Sequence, residues 1–152
     1  MTANIAILED NLDRREAMRV SLKGRFPHFD LRFFAIPKEM TRFFDDHLSE
    51  TIAISLDHDL DLQSDAEGRL TDPGTGREVA DYLAGHHPVC PVILHSTNSL
   101  AASGMELVLR EAGWQTFRVV PFDDLAWIAT DWFRAMRRAI VGPVKKAAEN
   151  PF

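Results

Sequence analysis

Two apolar segments of the chain end in ionisable side chains, and these side chains are the residues most able to carry chemistry. They are Glu9 and Asp10 after the first segment, and Asp57, His58 and Asp59 after the second. If the two segments are neighbouring strands of one parallel sheet, the carboxylates meet at one edge. Their mutual repulsion there is costly unless a proton or a cation relieves it. Hard oxygen ligands suit Mg²⁺ or Mn²⁺, so the sequence predicts a divalent cation site at Glu9, Asp10 and Asp57.

These acidic residues also have simpler explanations. Glu9 and Asp10 are placed where negative charge stabilises the N-terminus of a following helix. The Asp57 side chain could accept a hydrogen bond from a nearby backbone amide and form a local turn. We favour the cation site because Asp57 is expected close to the acidic pair.

Strand-like segments alternate with helix-like segments along the chain, which indicates how the acidic residues are positioned. Strands are predicted at residues 4–8, 31–35, 52–56, 91–95 and 117–120. This alternation predicts an α/β fold in which helices cover both faces of a parallel sheet. We expect a doubly wound, five-stranded sheet with the flavodoxin-like order 2-1-3-4-5. In that order the first and third strands lie side by side at the switch point, where such folds bind ligands.

The domain boundaries follow from the same pattern. We predict a single domain over residues 1–142 and a short tail over residues 143–152, because Gly142-Pro143 should end the last helix. Residues 61–75 are polar and are predicted to form a loop. Trp127 falls off the buried stripe of the last helix, so it is either partly covered or part of a contact surface.

Composition narrows the classes of function. The chain has 152 residues, a formal net charge of −6 and one cysteine, Cys90. The negative charge argues against binding to duplex nucleic acid. No segment approaches the roughly 20 apolar residues that cross a bilayer, so no membrane association is expected. A single cysteine fits a reducing cytoplasm, where we place the protein.

Three polar residues near the predicted acidic edge could bind phosphate. Arg14 lies on the inward side of the first helical turn, where it could bind phosphate oxygens or pair with Glu9 or Asp10. Ser96 and Asn98 follow the fourth strand. They could donate hydrogen bonds to a phosphate or cap the next helix.

Two histidines stand beside the candidate site residues. His58 follows Asp57, and His95 precedes Ser96. Strand periodicity would place each histidine on the face opposite its neighbour, as a hydrogen-bonded core residue. That periodicity fails at strand ends, and two imidazoles near a metal-bound phosphate would suit general acid and base roles. Both explanations remain open at this point.

The order of these residues resembles that of response-regulator receiver domains over most of the chain. The resemblance implies that Glu9 and Asp10 form the acidic pair, Asp57 is the phosphoacceptor position, Ser96 is the phosphoryl-contacting hydroxyl, and Pro121 follows the lysine position. In receivers the metal also takes a backbone carbonyl at the position of Asp59. The lysine itself is replaced by Val120, which supplies neither charge nor a hydrogen bond. Ordinary aspartyl-phosphate switching is therefore not expected.

Three further features are similar to a narrower group, the cyclic-phosphate processing receiver domains. They are the Asp-His-Asp-Leu run at residues 57–60, the His-Ser-x-Asn run at residues 95–98, and Arg14. The resemblance implies a site that acts on a small phosphate ester, by analogy a cyclic phosphate.

Two functions from different classes follow. The first is a metal-dependent phosphoesterase or cyclic-phosphate hydrolase, with Asp57, His58 and His95 as catalytic residues and Mg²⁺ or Mn²⁺ as cofactor. The second is a non-enzymatic, stand-alone signalling module of the receiver type, which would act through a protein partner. The two additional histidines favour the enzyme.

Overall fold

The computed structural model describes residues 2–149, with side chains as far as residue 142. Its main sheet has five parallel strands in the order β2-β1-β3-β6-β7. These strands are β1 (Asn4–Leu8), β2 (Asp30–Phe34), β3 (Thr51–Leu56), β6 (Val92–His95) and β7 (Thr116–Val119). Numbered among themselves, they have the predicted order 2-1-3-4-5. The predicted doubly wound, flavodoxin-like fold is therefore confirmed.

Over the described residues, five α-helices cover the two faces of this sheet. They are α1 (Leu12–Arg25), α2 (Pro37–His47), α3 (Gly76–Ala84), α4 (Ser99–Glu111) and α5 (Phe133–Glu149). One core lies between the sheet and α2, α3 and α4, and includes Met40, Leu83 and Leu109. The other core lies under α1 and α5, and includes Met18 and Met136. Both faces are buried, as alternating strands and helices require.

The segment predicted as a plain loop contains a small hairpin. β4 (Gln63–Ser64) pairs antiparallel with β5 (Leu70–Thr71). The turn between them is closed by the Asp65 side chain, whose Oδ1 accepts from the amides of Glu67 and Arg69 at 2.9 and 2.8 Å. Gly68 supplies the left-handed residue that the turn needs, with a φ of 78°. Strands of two residues are too short to produce a hydrophobic alternation that sequence inspection could detect.

The predicted end of the last helix at Gly142-Pro143 is wrong. The α5 backbone continues to Glu149. The residues after Pro143 are mostly good helix formers, namely lysines, alanines and a glutamate. They offset the one backbone hydrogen bond that proline removes. Residues 150–152 of the predicted tail lie outside the described residues.

None of the helices described over residues 2–149 combines the length and the apolar character that crossing a membrane requires.

Candidate cation and phosphate site

The carboxyl ends of β1 and β3 bring two buried carboxylates together. The strands are paired so that the Asp57 amide donates to the Leu8 carbonyl at 3.1 Å. Glu9 is fully buried and Asp57 is nearly so. Together with His95, each offers one ligand atom, and these three atoms lie within 4.8 Å of one another. The convergence of two acidic strand ends at the switch point therefore occurs in the structure.

Glu9 is surrounded by hydrogen-bond donors and positive charge. Its Oε2 accepts from the Asn11 amide at 3.1 Å, and its Oε1 lies 3.2 Å from Nε2 of His95 and 3.5 Å from Nη1 of Arg14. Burial raises the pKa of Glu9, but the hydrogen bond and charge of His95, the Asn11 amide and Arg14 outweigh burial. The pKa of Glu9 is lowered overall, so Glu9 is held as a carboxylate.

Asp57 has fewer compensating partners. Its Oδ1 accepts from the His58 amide at 2.7 Å, and its Oδ2 is 3.9 Å from Nη1 of Arg14. Burial, with the neighbouring charge of Glu9, raises the pKa of Asp57 to about 6, although His95, the His58 amide and Arg14 act in the opposite direction. A buried carboxylate with this pKa is poised to bind either a proton or a cation.

The Arg14 guanidinium lies beside the carboxylates of Glu9 and Asp57 and over the Trp127 indole. It is 5.3 Å from the centre of the Trp127 ring, within the range of a cation–π contact. Asn11 caps α1 and accepts from the Arg14 amide at 2.9 Å, which fixes where the side chain begins. The Arg14 side chain is 28% exposed. It can therefore meet an anion arriving from solvent while still facing Glu9 and Asp57.

Neither sequence-based explanation of Trp127 is correct. Trp127 is completely buried, and its ring stacks on His95 with a centroid distance of 5.8 Å. Just before Trp127, Asp123 and Asp124 both have positive φ values, 49° and 56°. The chain turns at these two residues, and the turn directs Trp127 inward. Its Nε1 donates to the Asp124 carbonyl at 2.8 Å.

Asp10 and Asp59 lie at the rim of the site formed by Glu9 and Asp57. Asp10 Oδ2 accepts from the Asp61 amide at 2.6 Å, and burial is the main reason that the pKa of Asp10 is raised. Within residues 2–149, Asp10 is not part of the close set formed by Glu9, Asp57 and His95. The Asp59 carboxylate contacts His58 and Asn98 at 2.8 and 3.3 Å. The receiver resemblance implies a metal-binding role for the Asp59 backbone carbonyl, and these side-chain contacts do not test that role.

The two candidate histidines occupy different environments. The His58 side chain is 17% exposed, and its Nδ1 lies 2.8 Å from Asp59 Oδ1. His95 is completely buried, with Nδ1 2.6 Å from Ser55 Oγ and Nε2 3.2 Å from Glu9. Both ring nitrogens of His95 are therefore engaged inside the protein, whereas His58 borders solvent.

Ser96 and Asn98 stand at the start of α4. Asn98 caps this helix, because its Oδ1 accepts from the Ala101 amide at 3.1 Å. Ser96 Oγ accepts from the Asn98 amide at 3.0 Å. Asn98 Nδ2 also donates to Asp59 Oδ2 at 3.3 Å. The Ser96 hydroxyl hydrogen and the second Asn98 amide hydrogen remain as donors. Capping and phosphate binding are therefore compatible for these two residues.

A cavity of about 290 Å³ adjoins Arg14. It is lined by Asn11, Asp13, Arg14, Thr97 and residues 121–125. Val120, at the position of the receiver lysine, is 52% exposed. Among the described residues, the cation recorded within 4.0 Å of the Asp57 carboxylate is the Arg14 guanidinium of α1, at 3.9 Å.

Three residues beneath the site were not identified from the sequence as site residues: Ser55, Trp127 and Trp132. Trp132 Nε1 donates to Ser55 Oγ at 3.0 Å, and Ser55 contacts His95. A serine between isoleucine and leucine in a buried strand was the available signal, because a buried hydroxyl needs a partner. The sequence does not show which residue that partner is.

Known proteins resemble this chain in sequence and in fold. The profile of the cyclic-phosphate processing receiver domain matches residues 7–111. No curated protein matches significantly. The phosphorylated cyanobacterial phytochrome response regulator RcpA superimposes with a TM-score of 0.67 at 13% identity, covering 94% of this chain and 96% of its own.

Two further solved structures have the same fold. The Mn²⁺-bound form of response regulator Rcp1 gives a TM-score of 0.62 at 14% identity, covering 90% of this chain and 92% of its own. A response regulator receiver domain from Rhodospirillum rubrum gives 0.60 at 13% identity, covering 88% and 90%. The family profile spans more than half of the chain, including the acidic edge and the residues around His95. The chain therefore belongs to the cyclic-phosphate processing receiver domain family.

Proposed function

We propose that this protein processes a phosphate ester, of the cyclic-phosphate class, with a divalent cation bound at the acidic edge. The observation that carries the proposal is the buried pair Glu9 and Asp57 with Arg14 above it. Two carboxylates and one cationic side chain leave a net negative charge in a poorly solvated place. A divalent cation would neutralise that charge.

The donor set fits Mg²⁺ or Mn²⁺. Glu9, Asp57 and Asp10 offer the hard oxygen ligands that these ions prefer, and the Asp59 backbone carbonyl is the further ligand that the receiver resemblance implies. His95 contacts Glu9 through Nε2 at 3.2 Å and would support this ligand from outside the coordination sphere. The Mn²⁺-bound form of Rcp1 lends support by analogy of fold. A bound cation would supply charge neutralisation and Lewis acidity toward a phosphate oxygen.

Phosphate binding is assigned to side chains around the same edge. Arg14 offers a planar, solvent-accessible guanidinium that matches phosphate oxygens. Ser96 and Asn98 offer neutral donors from the start of α4. The adjoining cavity has room for part of the group esterified to the phosphate.

Proton transfer is assigned to His58. It is the one of the two candidate histidines that reaches solvent, and Asp59 contacts its Nδ1. A carboxylate partner orients an imidazole and fixes which nitrogen faces the reaction. His95, with both nitrogens occupied in the core, is assigned to supporting Glu9 instead.

The experiment is a turnover assay on nucleoside cyclic phosphates with five-membered and six-membered phosphate rings, followed by phosphorus NMR with Mg²⁺ or with EDTA. We expect ring opening only with metal. Asp57→Asn should abolish it, and His58→Ala should slow it about 10²–10⁴-fold. His86→Ala is the matched control, because His86 is exposed and its Nδ1 contacts the Tyr82 carbonyl oxygen at 2.8 Å.

The competing function is a signalling module that is phosphorylated on Asp57. Turnover that persists in EDTA or in Asp57→Asn contradicts the proposal. Absence of turnover on every ring, together with a stable phosphoryl group on Asp57 after treatment with a phosphodonor, would establish the signalling function instead.

A further inference from the structure

A chain of hydrogen bonds runs through the core from the last helical region to the acidic edge. Trp132 Nε1 is 3.0 Å from Ser55 Oγ, Ser55 Oγ is 2.6 Å from His95 Nδ1, and His95 Nε2 is 3.2 Å from Glu9 Oε1. All four side chains are completely buried. Trp132 ends a π-helical turn, Ile128–Trp132, a feature often found at functional sites.

The donor and acceptor groups give this series of hydrogen bonds a direction. An indole N–H can only donate, so Ser55 Oγ accepts from Trp132. Among the described residues, the only other hydrogen-bond partner of Ser55 Oγ is His95 Nδ1, so the single hydroxyl hydrogen points toward His95. In the neutral imidazole, the Nδ1 atom then accepts, and the ring hydrogen lies on Nε2. Glu9 is a carboxylate and can only accept from it.

We propose that Trp132 and Ser55 are positioning residues that fix His95 as the Nε2–H tautomer and, through it, orient Glu9. Each donor in this series leaves the next group only one role, so Trp132 in the last helical region sets the geometry of the Glu9 carboxylate directly after β1. The consequence for cation binding rests on the function proposed above. The tautomer itself does not, because it is a property of the metal-free protein.

The same three groups resemble a serine–histidine–acid triad, but a nucleophilic role does not fit. Ser55 is completely buried within β3, where no substrate can approach it. Its oxygen also accepts from Trp132, which lowers its nucleophilicity. A catalytic serine instead presents its oxygen to the substrate.

The direct test is the nitrogen NMR spectrum of the histidine rings in metal-free protein at about pH 8, above the ordinary histidine range. The His95 signals are assigned with His95→Gln. We expect a protonated Nε2 and a hydrogen-bonded, unprotonated Nδ1. A protonated Nδ1 overturns the proposal, and the spectrum that decides is that of the wild-type protein.

Two tryptophan variants test whether the relay, the hydrogen-bonded series from Trp132 through Ser55 to His95, determines the His95 tautomer. Trp132→Phe removes the donor that directs Ser55, so the His95 Nδ1 signal should shift. Trp114→Phe is the matched control, because Trp114 is also buried but donates to the Leu83 carbonyl within the other core. Equal His95 spectra in the two variants would refute the relay.

Mn²⁺ titration of the same two variants tests the consequence for the site. Outer partners of metal ligands typically contribute 10–100-fold to affinity, so Trp132→Phe should weaken binding about tenfold relative to Trp114→Phe. Equal affinities contradict the orientation of Glu9 by the relay. If wild-type protein binds no Mn²⁺ while the spectra behave as expected, the proposed function fails and the fixed tautomer stands.

Discussion

Replacing Asp57 with asparagine should stabilise the metal-free protein at neutral pH and leave it nearly unchanged in acid. Folding raises the Asp57 pKa from 3.8 to about 6, so the folded protein holds this proton more tightly than the unfolded chain does. The resulting stabilisation is fully present below the unfolded pKa and is lost as the pH rises through about 6. Asparagine resembles the protonated acid and does not undergo this loss.

The magnitude follows from the size of the shift. A pKa change from 3.8 to about 6 corresponds to about 3 kcal/mol, at 1.36 kcal/mol per unit. Because Asp57 is nearly buried, solvent screening reduces this value little. The unfolding free energy of Asp57→Asn, minus that of wild type, should therefore increase by about 2.5 kcal/mol between pH of about 4 and about 8, because the unfolded carboxyl is already partly ionised at the lower pH.

The assay is urea unfolding in EDTA, followed by circular dichroism at both pH values. Asp46→Asn is the control for the loss of one charge, since Asp46 is exposed on α2, and it should change stability by less than about 0.5 kcal/mol. Saturating Mg²⁺ should stabilise wild type by about 2.7 kcal/mol at a hundred times its dissociation constant, and should leave Asp57→Asn unchanged. An equal difference between wild type and Asp57→Asn at both pH values would refute the reasoning.

Two further predictions concern the backbone near Asp57 and its phosphorylation. Gly76→Ala should destabilise the protein by about 2 kcal/mol or more in thermal unfolding, because the new Cβ would overlap the Asp57 carbonyl oxygen. Gly24→Ala, whose new Cβ meets no atom within 4 Å, should instead stabilise the protein by about 0.5–1 kcal/mol. Similar stability changes in both variants would contradict the prediction. A small-molecule phosphodonor should leave little stable phosphate on Asp57 by intact-mass measurement, because Val120 supplies no ammonium. Val120→Lys should increase the amount of phosphorylated protein. A long-lived adduct in wild type would count against this prediction.

The strand order and the acidic edge could be predicted because both depend on regular chemistry. Alternating apolar strands and helices allow few topologies, and the carboxyl ends of adjacent parallel strands must meet. Glu9 and Asp57 therefore come together for reasons already present in their positions along the chain. The same logic placed Arg14 on the first turn of α1, facing that edge.

The rest of the site depends on side-chain directions that periodicity does not supply. His95 lies at a strand end, where the alternation of faces could not decide between core and pocket, and the structure shows that it serves the core and contacts Glu9 at once. Trp127 is buried because two left-handed aspartates redirect the chain before it. Ser55 and Trp132 are 77 residues apart in sequence, so their contact exists only in the folded protein.

The measurement that tests the central claim most directly is the anomalous diffraction of Mn²⁺ in crystals of this protein. If a divalent cation binds at the acidic edge, a Mn²⁺ peak should lie between about 2.0 and 2.6 Å from carboxylate oxygens of Asp57 and of Glu9 or Asp10. It also predicts that Asp57→Asn crystals lack that peak. A Mn²⁺ peak elsewhere, or none at saturating concentration with Arg14 still over Glu9 and Asp57, would contradict the account.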